Sequence, residues 1–254
     1  MDNSIFNLSN YISMLEGALC TGYSFISFDN EKISRNISKR CLLRHDVDAD
    51  ISAALTMARA EHKIGISSTY FLMIRSPMYN LTSRHNSNAI NEIIKLGHKI
   101  GLHYDQGFDF NFLKSDVYQI RLEAEFIQNM FGERITTVSF HQPNESVLNG
   151  DISIGNYLNT YDKDYLRFFK YHSDSNRKFN LHSFSHDKTD NIFSNLSSMS
   201  IQLLIHPMWW VYDSLSTEDV WDKVIESNFN KSQSQLLETE LKYGVKRRIK
   251  IKKS

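Results

Sequence analysis

Four apolar runs in this chain each end in an ionisable side chain, and that pattern restricts the fold more than any other feature. Leu42-Leu43-Arg44 leads into His45-Asp46-Val47-Asp48. Lys99-Ile100-Gly101-Leu102 ends in His103, Thr137-Val138-Ser139-Phe140 in His141, and Leu203-Leu204-Ile205 in His206. Short apolar runs of this kind read as buried strands, and ionisable groups at strand C-termini are what a parallel α/β barrel presents at its mouth. Side chains alternate along a strand, so Asp46 and Asp48 point to the same side. Two carboxylates that close repel unless a cation or a shared proton relieves them. Two aspartates and three histidines at four strand ends point to one metal site on one barrel face.

The segments between these runs read as helices. Ile5, Leu8, Ile12, Leu15 and Leu19 recur at helical spacing over residues 4 to 20, an N-terminal helix expected to pack outside the main core. Residues 49 to 62, 87 to 96 and 116 to 131 are the next helices, the last two stopped by Gly97 and Gly132. The apolar stripe Leu122 and Phe126 of the third is expected to face the core. A second strand is expected at 65 to 74, and a strand near 165 to 171 would deliver Asp174. A helix starts at 217 with Ser216 or Thr217 as its cap. Residues 144 to 165 are polar and weakly patterned, as in a long functional loop. Alternating strand and helix favour parallel βαβ units. Three regions follow: a helical extension at 1–35, the α/β barrel at 36–241 and a basic tail at 242–254.

The chain has 254 residues, the size of one α/β barrel, and 41% of them are hydrophobic, enough for one large core. Lys plus Arg and Asp plus Glu both number 29, which excludes global charge steering toward nucleic acid. Cys20 and Cys41 have no metal-ligand spacing and make no disulfide scaffold. With no basic and apolar leader visible at Met1-Asp2-Asn3-Ser4, a cytoplasmic location is expected. No run reaches the ~18 apolar residues of a membrane span. The run Lys246-Arg247-Arg248-Ile249-Lys250-Ile251-Lys252-Lys253 is expected to be solvated. The sharper alternative is peripheral contact with an anionic inner-membrane face, at ~1 kcal/mol per basic residue near the surface.

Mixed carboxylate and imidazole donors suit a divalent transition metal, with zinc favoured. Such a metal makes hydroxide available near neutral pH, a carboxylate takes the proton, and a histidine protonates the leaving group.

The residues that carry this chemistry resemble a known family. His45-Asp46-Val47-Asp48, Gly97-His98-Lys99-Ile100-Gly101-Leu102-His103-Tyr104-Asp105, Ser139-Phe140-His141-Gln142-Pro143, Ser173-Asp174-Ser175 and Leu204-Ile205-His206-Pro207 run in the order of motifs in polysaccharide deacetylases of the NodB-homology group. They are more similar still to the WbmS-like branch, associated with surface-polysaccharide sugars. The resemblance implies a distorted parallel (β/α) barrel of about seven strands and metal-dependent removal of an acetyl group from a sugar. It implies Asp46 as catalytic base, Asp48 as metal aspartate, His103 as first metal histidine, His206 as general acid and Asp174 as the acid that orients a catalytic histidine.

Two positions depart from the family pattern. Gly107 stands where a second metal histidine belongs, and His141-Gln142-Pro143 replaces an Arg-Pro-Pro-like element. Either His141 or Asp105 can supply the missing ligand, and the roles of Asp46 and Asp48 can be exchanged.

Other residues divide between site and scaffold. Tyr104 and Asp105 are rim candidates for substrate contact, and Trp209 and Trp210 either stack on a sugar or pack the rim. Arg44 is placed to pair with an acid. His98 and His45 face away from the site strands and read as structural, while His182 and His186 lack strand-end context. Asp46, Asp48 and Asp50 imitate an EF-hand loop, but Ile51 and Met57 stand where Gly and Glu are required. The substrate expected is an acetylated sugar on a nucleotide- or lipid-linked precursor. The rivals are a glycosyltransferase holding metal and nucleotide sugar on Asp-x-Asp, and a non-catalytic carbohydrate-binding barrel.

Overall fold

The computed structural model describes residues 6–28, 39–107, 116–150, 152–163, 168–178 and 199–240. The basic tail, His182 and His186, and the start of the strand expected near 165 lie outside them. In order the elements are α1 (Leu8–Cys20), β1 (Ser24–Phe25), β2 (Arg40–Val47), α2 (Ile51–Lys63), β3 (Thr69–Leu72), α3 (Arg84–Lys95), β4 (Lys99–Asp105), α4 (Asp116–Phe131), β5 (Thr137–His141), α5 (Glu145–Leu148), β6 (Leu158–Asn159), β7 (Phe169–Ser173), β8 (Ser200–Ile205), α6 (Pro207–Val211) and α7 (Thr217–Thr239).

Seven strands pair in the order β6-β5-β4-β3-β2-β8-β7, every pair parallel. β2 is buried along its length and carries β8 on one edge. Its other edge is shared: β1 pairs with Arg40 and Cys41, and β3 takes over from Arg44 to Val47. The sheet curls into a half-barrel, the distorted (β/α) barrel expected. Side chains bridge its two margins: the Tyr161 and Tyr171 rings lie 6.1 Å apart, and Gln202 Nε2 donates to the Thr160 carbonyl at 3.0 Å.

Alternation sorts each strand into two faces. Leu42, Phe71 and Phe169 meet on the concave face. Cys41, Leu43, Ile201, Leu203 and Ile205 face outward under α1 and α6, and Tyr70, Leu72, Ile100, Leu102, Val138 and Phe140 under α2 to α4. Gly101 is required by this packing: a Cβ there would lie 2.6 Å from the Phe71 ring.

Five helices begin where a side chain satisfies free backbone N–H groups. Asn7, Asp50, Ser83, Asn144 and Ser216 cap α1, α2, α3, α5 and α7. Gly97 and Gly132 follow α3 and α4 at φ 91 and 73, a region that only glycine enters without strain. α1 buries Tyr11, Met14, Leu15 and Ala18 in the same cluster as Trp210, so it helps build the core.

Beneath α2 the Glu61 carboxylate gathers partners from three elements. Tyr11 Oη, Ser68 Oγ and Tyr70 Oη donate to it at 2.5, 2.6 and 3.1 Å, and His45 Nε2 lies 2.7 Å away. Burial pushes this carboxyl up, but the His45 charge and its hydrogen bond outweigh that and hold it below its ordinary value. His98 bonds Ser68 and the Ala58 carbonyl. Both histidines thus make their contacts within the core, away from the concave face.

α4 corrects one expectation. Its buried residues are Ile120, Glu123, Ala124 and Ile127, whereas Leu122 and Phe126 are each 41% exposed. Both sets recur at helical spacing, so periodicity alone did not say which stripe the sheet would cover.

Candidate metal centre

The strand alternation that fills the barrel also lines up the site. Arg44, Asp46 and Asp48 succeed one another on the concave side of β2 and the turn after it. β4 brings His103 and β5 brings His141, in neighbouring register. One ligand atom from each of Asp48, His103 and His141 lies within 4.8 Å of the other two. His103 Nε2 is 3.0 Å and His141 Nδ1 3.6 Å from Asp48 Oδ1. Donors about 2.0–2.2 Å from a zinc ion stand at such separations.

The residues present therefore fit a divalent cation, and the electrostatics agree. His103 Nδ1 is buried without a hydrogen-bond partner among the described residues. Burial pushes the Asp48 carboxyl up, yet hydrogen bonds from His103 and His141 hold it well below the usual carboxylate range. His141 is pushed up, first by its hydrogen bond to Asp48, with Asp105 and Asp46 adding to the pull. Gly107 contributes no donor; its backbone N–H donates to Asp105 Oδ1 at 2.9 Å. Asp105 shares a strand face with His103 but lies outside the three-donor cluster.

Asp46 is held differently. Its Oδ2 accepts from Arg44 Nη2 at 3.1 Å and from Ser139 Oγ at 2.9 Å. Its Oδ1 has no partner among the described residues. One oxygen is fixed and the other is left for a ligand. Arg44 is wholly buried; its guanidinium also donates to Tyr161 Oη at 2.9 Å and lies 4.8 Å from that ring's centroid. Sequence reasoning placed Arg44 beside an acid but missed Ser139 and Tyr161. Ser139 had a legible signal, standing two residues before His141 and hence on its face.

Across the mouth, Asp174 follows β7 and His206 follows β8. His206 Nδ1 lies 2.6 Å from Asp174 Oδ1, and the His206 backbone N–H donates to both Asp174 oxygens. Trp210 Nε1 donates to Asp174 Oδ2 at 2.7 Å. His206 Nε2 faces Asp48 Oδ2 at 3.8 Å. Burial pushes the His206 imidazole down, but the Asp174 charge and hydrogen bond win and raise it to about 9. A group raised from 6.5 to about 9 adds stability below about 6.5 and loses it as pH rises through about 9. Asp174→Asn removes the main upward influence. The alkaline limb of any activity that needs protonated His206 should then fall to lower pH by about one unit or more, measured as a pH–rate profile.

A cleft of 390 Å³ joins these groups, walled by Leu204, Trp209 and Trp221. Gln142 and Asn176, also on its wall, hold left-handed backbone at φ 45 and 55, a strain that concentrates at functional sites. A larger groove of 740 Å³ runs between α3 and α7, but among the described residues no ligating cluster faces it. Asn176 and Trp221 were not marked by the sequence, and Gln142 was marked only as part of the His141-Gln142-Pro143 element.

Three of the four expected substrate contacts, Tyr104, Asp105 and Trp210, do not line the cleft. Tyr104 alternates with His103 and so points away from the cleft, its Oη donating to Asp116 at 3.1 Å. Trp210 is wholly buried against Phe6 and Tyr11 and serves Asp174. Trp209 does line the cleft, and its buried Nε1 has no protein partner among the described residues.

No family model and no curated protein matches the chain. Solved structures do. The chitin deacetylase of the fungal pathogen Colletotrichum lindemuthianum matches at 14% identity and TM-score 0.48, over 76% of this chain and 84% of that one. A family 4 carbohydrate esterase from Bacillus anthracis matches at 15% identity and TM-score 0.41, over 86% of each chain. A CE4 family pseudoenzyme from Bacillus anthracis matches at 15% identity and TM-score 0.44, over 78% of this chain and 62% of that one.

Proposed function

We propose that the protein is a metal-dependent hydrolase that removes an acetyl group from an acetylated sugar, with Asp48, His103 and His141 as the metal ligands. The carrying observation is the division of the two aspartates: Asp48 lies among the imidazoles, while Asp46 is tied by one oxygen to Arg44 and Ser139 with the other unengaged. A divalent metal, zinc by the donor set, supplies Lewis acidity and a nucleophilic water when bound.

The chain's own groups do the rest. Arg44 and Ser139 hold Asp46 so that its free oxygen accepts the proton of the attacking water. His206, kept protonated by Asp174, donates to the departing amine or alcohol. Trp209 offers its indole N–H and ring face to the sugar. The 390 Å³ cleft falls in the range of small-molecule sites, about 300–1,000 Å³, and suits one acetylated sugar of a nucleotide- or lipid-linked precursor. A place in surface-polysaccharide synthesis, in the cytoplasm, follows from that substrate and from the family resemblance of the motifs.

The glycosyltransferase alternative needs both aspartates free to hold a metal diphosphate, and the Arg44 and Ser139 bonds already occupy one of the two Asp46 oxygens. The test is acetate release by zinc- or cobalt-loaded protein from free, nucleotide-linked and lipid-linked N-acetylhexosamines. Asp46→Asn should keep its metal and lose turnover by about 10²–10⁴-fold. Tight sugar binding with no acetate from any substrate would overturn the hydrolase in favour of a binding barrel.

A further inference from the structure

α7 carries an apolar stripe that the barrel leaves uncovered. Ile225, Phe229 and Leu236 are 54%, 64% and 44% exposed, whereas Val220 and Val224 on the next face are buried. With Ser232 the stripe steps by four, three and four residues, the spacing of a helix–helix seam. Beside it an open groove of 390 Å³ is lined by Met78, Tyr79, Ser232 and Leu236. A protruding aromatic and a groove that sets Met78, Tyr79 and Leu236 among polar side chains thus lie three residues apart on one helix.

That arrangement is self-complementary. A two-fold axis passing the helix between Asn230 and Lys231 sets Ile225 against Leu236 of a second copy and Phe229 against its Ser232, at the groove. Because both partners in each contact sit on the same patch, the contact closes as a pair and cannot propagate into a chain. Charge favours the same antiparallel direction. The first half of α7 holds Glu218, Asp219, Asp222 and Glu226 against Lys223, whereas the chain beyond Glu240 contains Lys242, Lys246, Arg247, Arg248, Lys250, Lys252 and Lys253. The residues that follow Glu240 in the sequence are thus opposite in charge to the acidic half of the helix. The same acidic half repels an anionic membrane, the other surface a basic tail could meet. α4 also exposes a stripe, Leu122, Phe126 and Met130, but no groove or opposite charge says what would cover it.

We propose that this protein forms a two-fold symmetric dimer through an antiparallel pair of α7 helices, Phe229 of each copy packing at the groove over Ser232 of the other. Trp221 on the same helix walls the cleft, so the helix pair joins the two sites.

Sedimentation velocity of the full chain at high micromolar concentration tests this. The wild type should run as a dimer that loosens with salt. Phe229→Glu, at a position already in solvent, should raise the dissociation constant by about tenfold or more with metal content and melting unchanged. In a Cys20→Ser background, Ile225→Cys mixed with Leu236→Cys should cross-link on oxidation, while neither variant does so alone. A monomeric wild type, or a dimer indifferent to Phe229→Glu, overturns the proposal. A monomer that pelleted with phosphatidylserine vesicles, and lost this with Phe229→Glu, would give the same stripe to the membrane instead.

Discussion

His103→Ala is expected to leave the purified protein without metal. Elemental analysis should find about one zinc or similar ion per chain in the wild type and less than about a tenth of that in the variant. The reason is geometric. His103 Nε2 makes the shortest of the ligand-to-ligand approaches, 3.0 Å to Asp48 Oδ1, and His103 is almost wholly buried, so water cannot easily replace the lost donor. Gly107 offers no side chain to compensate. Asp48→Ala should do the same and also leave three imidazoles facing one another. His141, on the open edge of the site, should give a smaller loss of affinity. Metal retained in both His103→Ala and Asp48→Ala would remove the three-ligand assignment, whatever the activity.

Arg44→Leu is expected to cost about 3–5 kcal/mol of stability, because it leaves the buried Asp46 carboxylate without its guanidinium partner, with Ser139 its remaining hydrogen-bond donor and His103 Nδ1 3.8 Å away. For a chain of this size that lowers the melting temperature by roughly 6–20 °C. The double variant Arg44→Leu/Asp46→Asn should recover more than half of the loss, since the uncompensated charge goes with its partner. It should stay inactive for want of the Asp46 carboxylate. Thermal melts of the four proteins in a chelator isolate this coupling from metal binding. Additive losses would mean that Arg44 acts mainly as packing between Tyr161, Tyr171 and Phe71.

The elements that were legible in the sequence share one property: their signal is local. β2, β4, β5 and β8 each read as a short apolar run, and each carries an ionisable residue at or next to its C-terminal end because a strand that leaves the core must meet solvent at its mouth. Strand alternation also separated Asp46 and Asp48 from His45, and His103 from His98, before any contact was known. The same rule, applied to Tyr104, would have placed it beneath α4 instead of at the rim, since it stands one residue from His103.

What was not legible depended on partners distant in the chain. α4 offers two stripes of similar periodicity, and only the sheet beneath it decides that Ile120 and Ile127 are covered and Leu122 and Phe126 are not. Trp209 and Trp210 are adjacent and alike in sequence. One turns to the cleft, and the other turns to Asp174, because α6 starts at Pro207 and rotates neighbours by about 100°. The reach of Tyr161 to Arg44 spans 117 residues and exists only because the sheet curls.

The sequence by itself determined the parallel strand–helix alternation, the five ionisable groups at strand ends and the faces they occupy, since these follow from periodicities of two and 3.6. The tertiary structure alone decided which aspartate sits among the imidazoles and that His141, not Asp105, completes the three donors. It alone showed which stripes of α4 and α7 remain in water. Those outcomes turn on the curl of the sheet and the ångström-scale approach of side chains from separate strands, which no local pattern encodes.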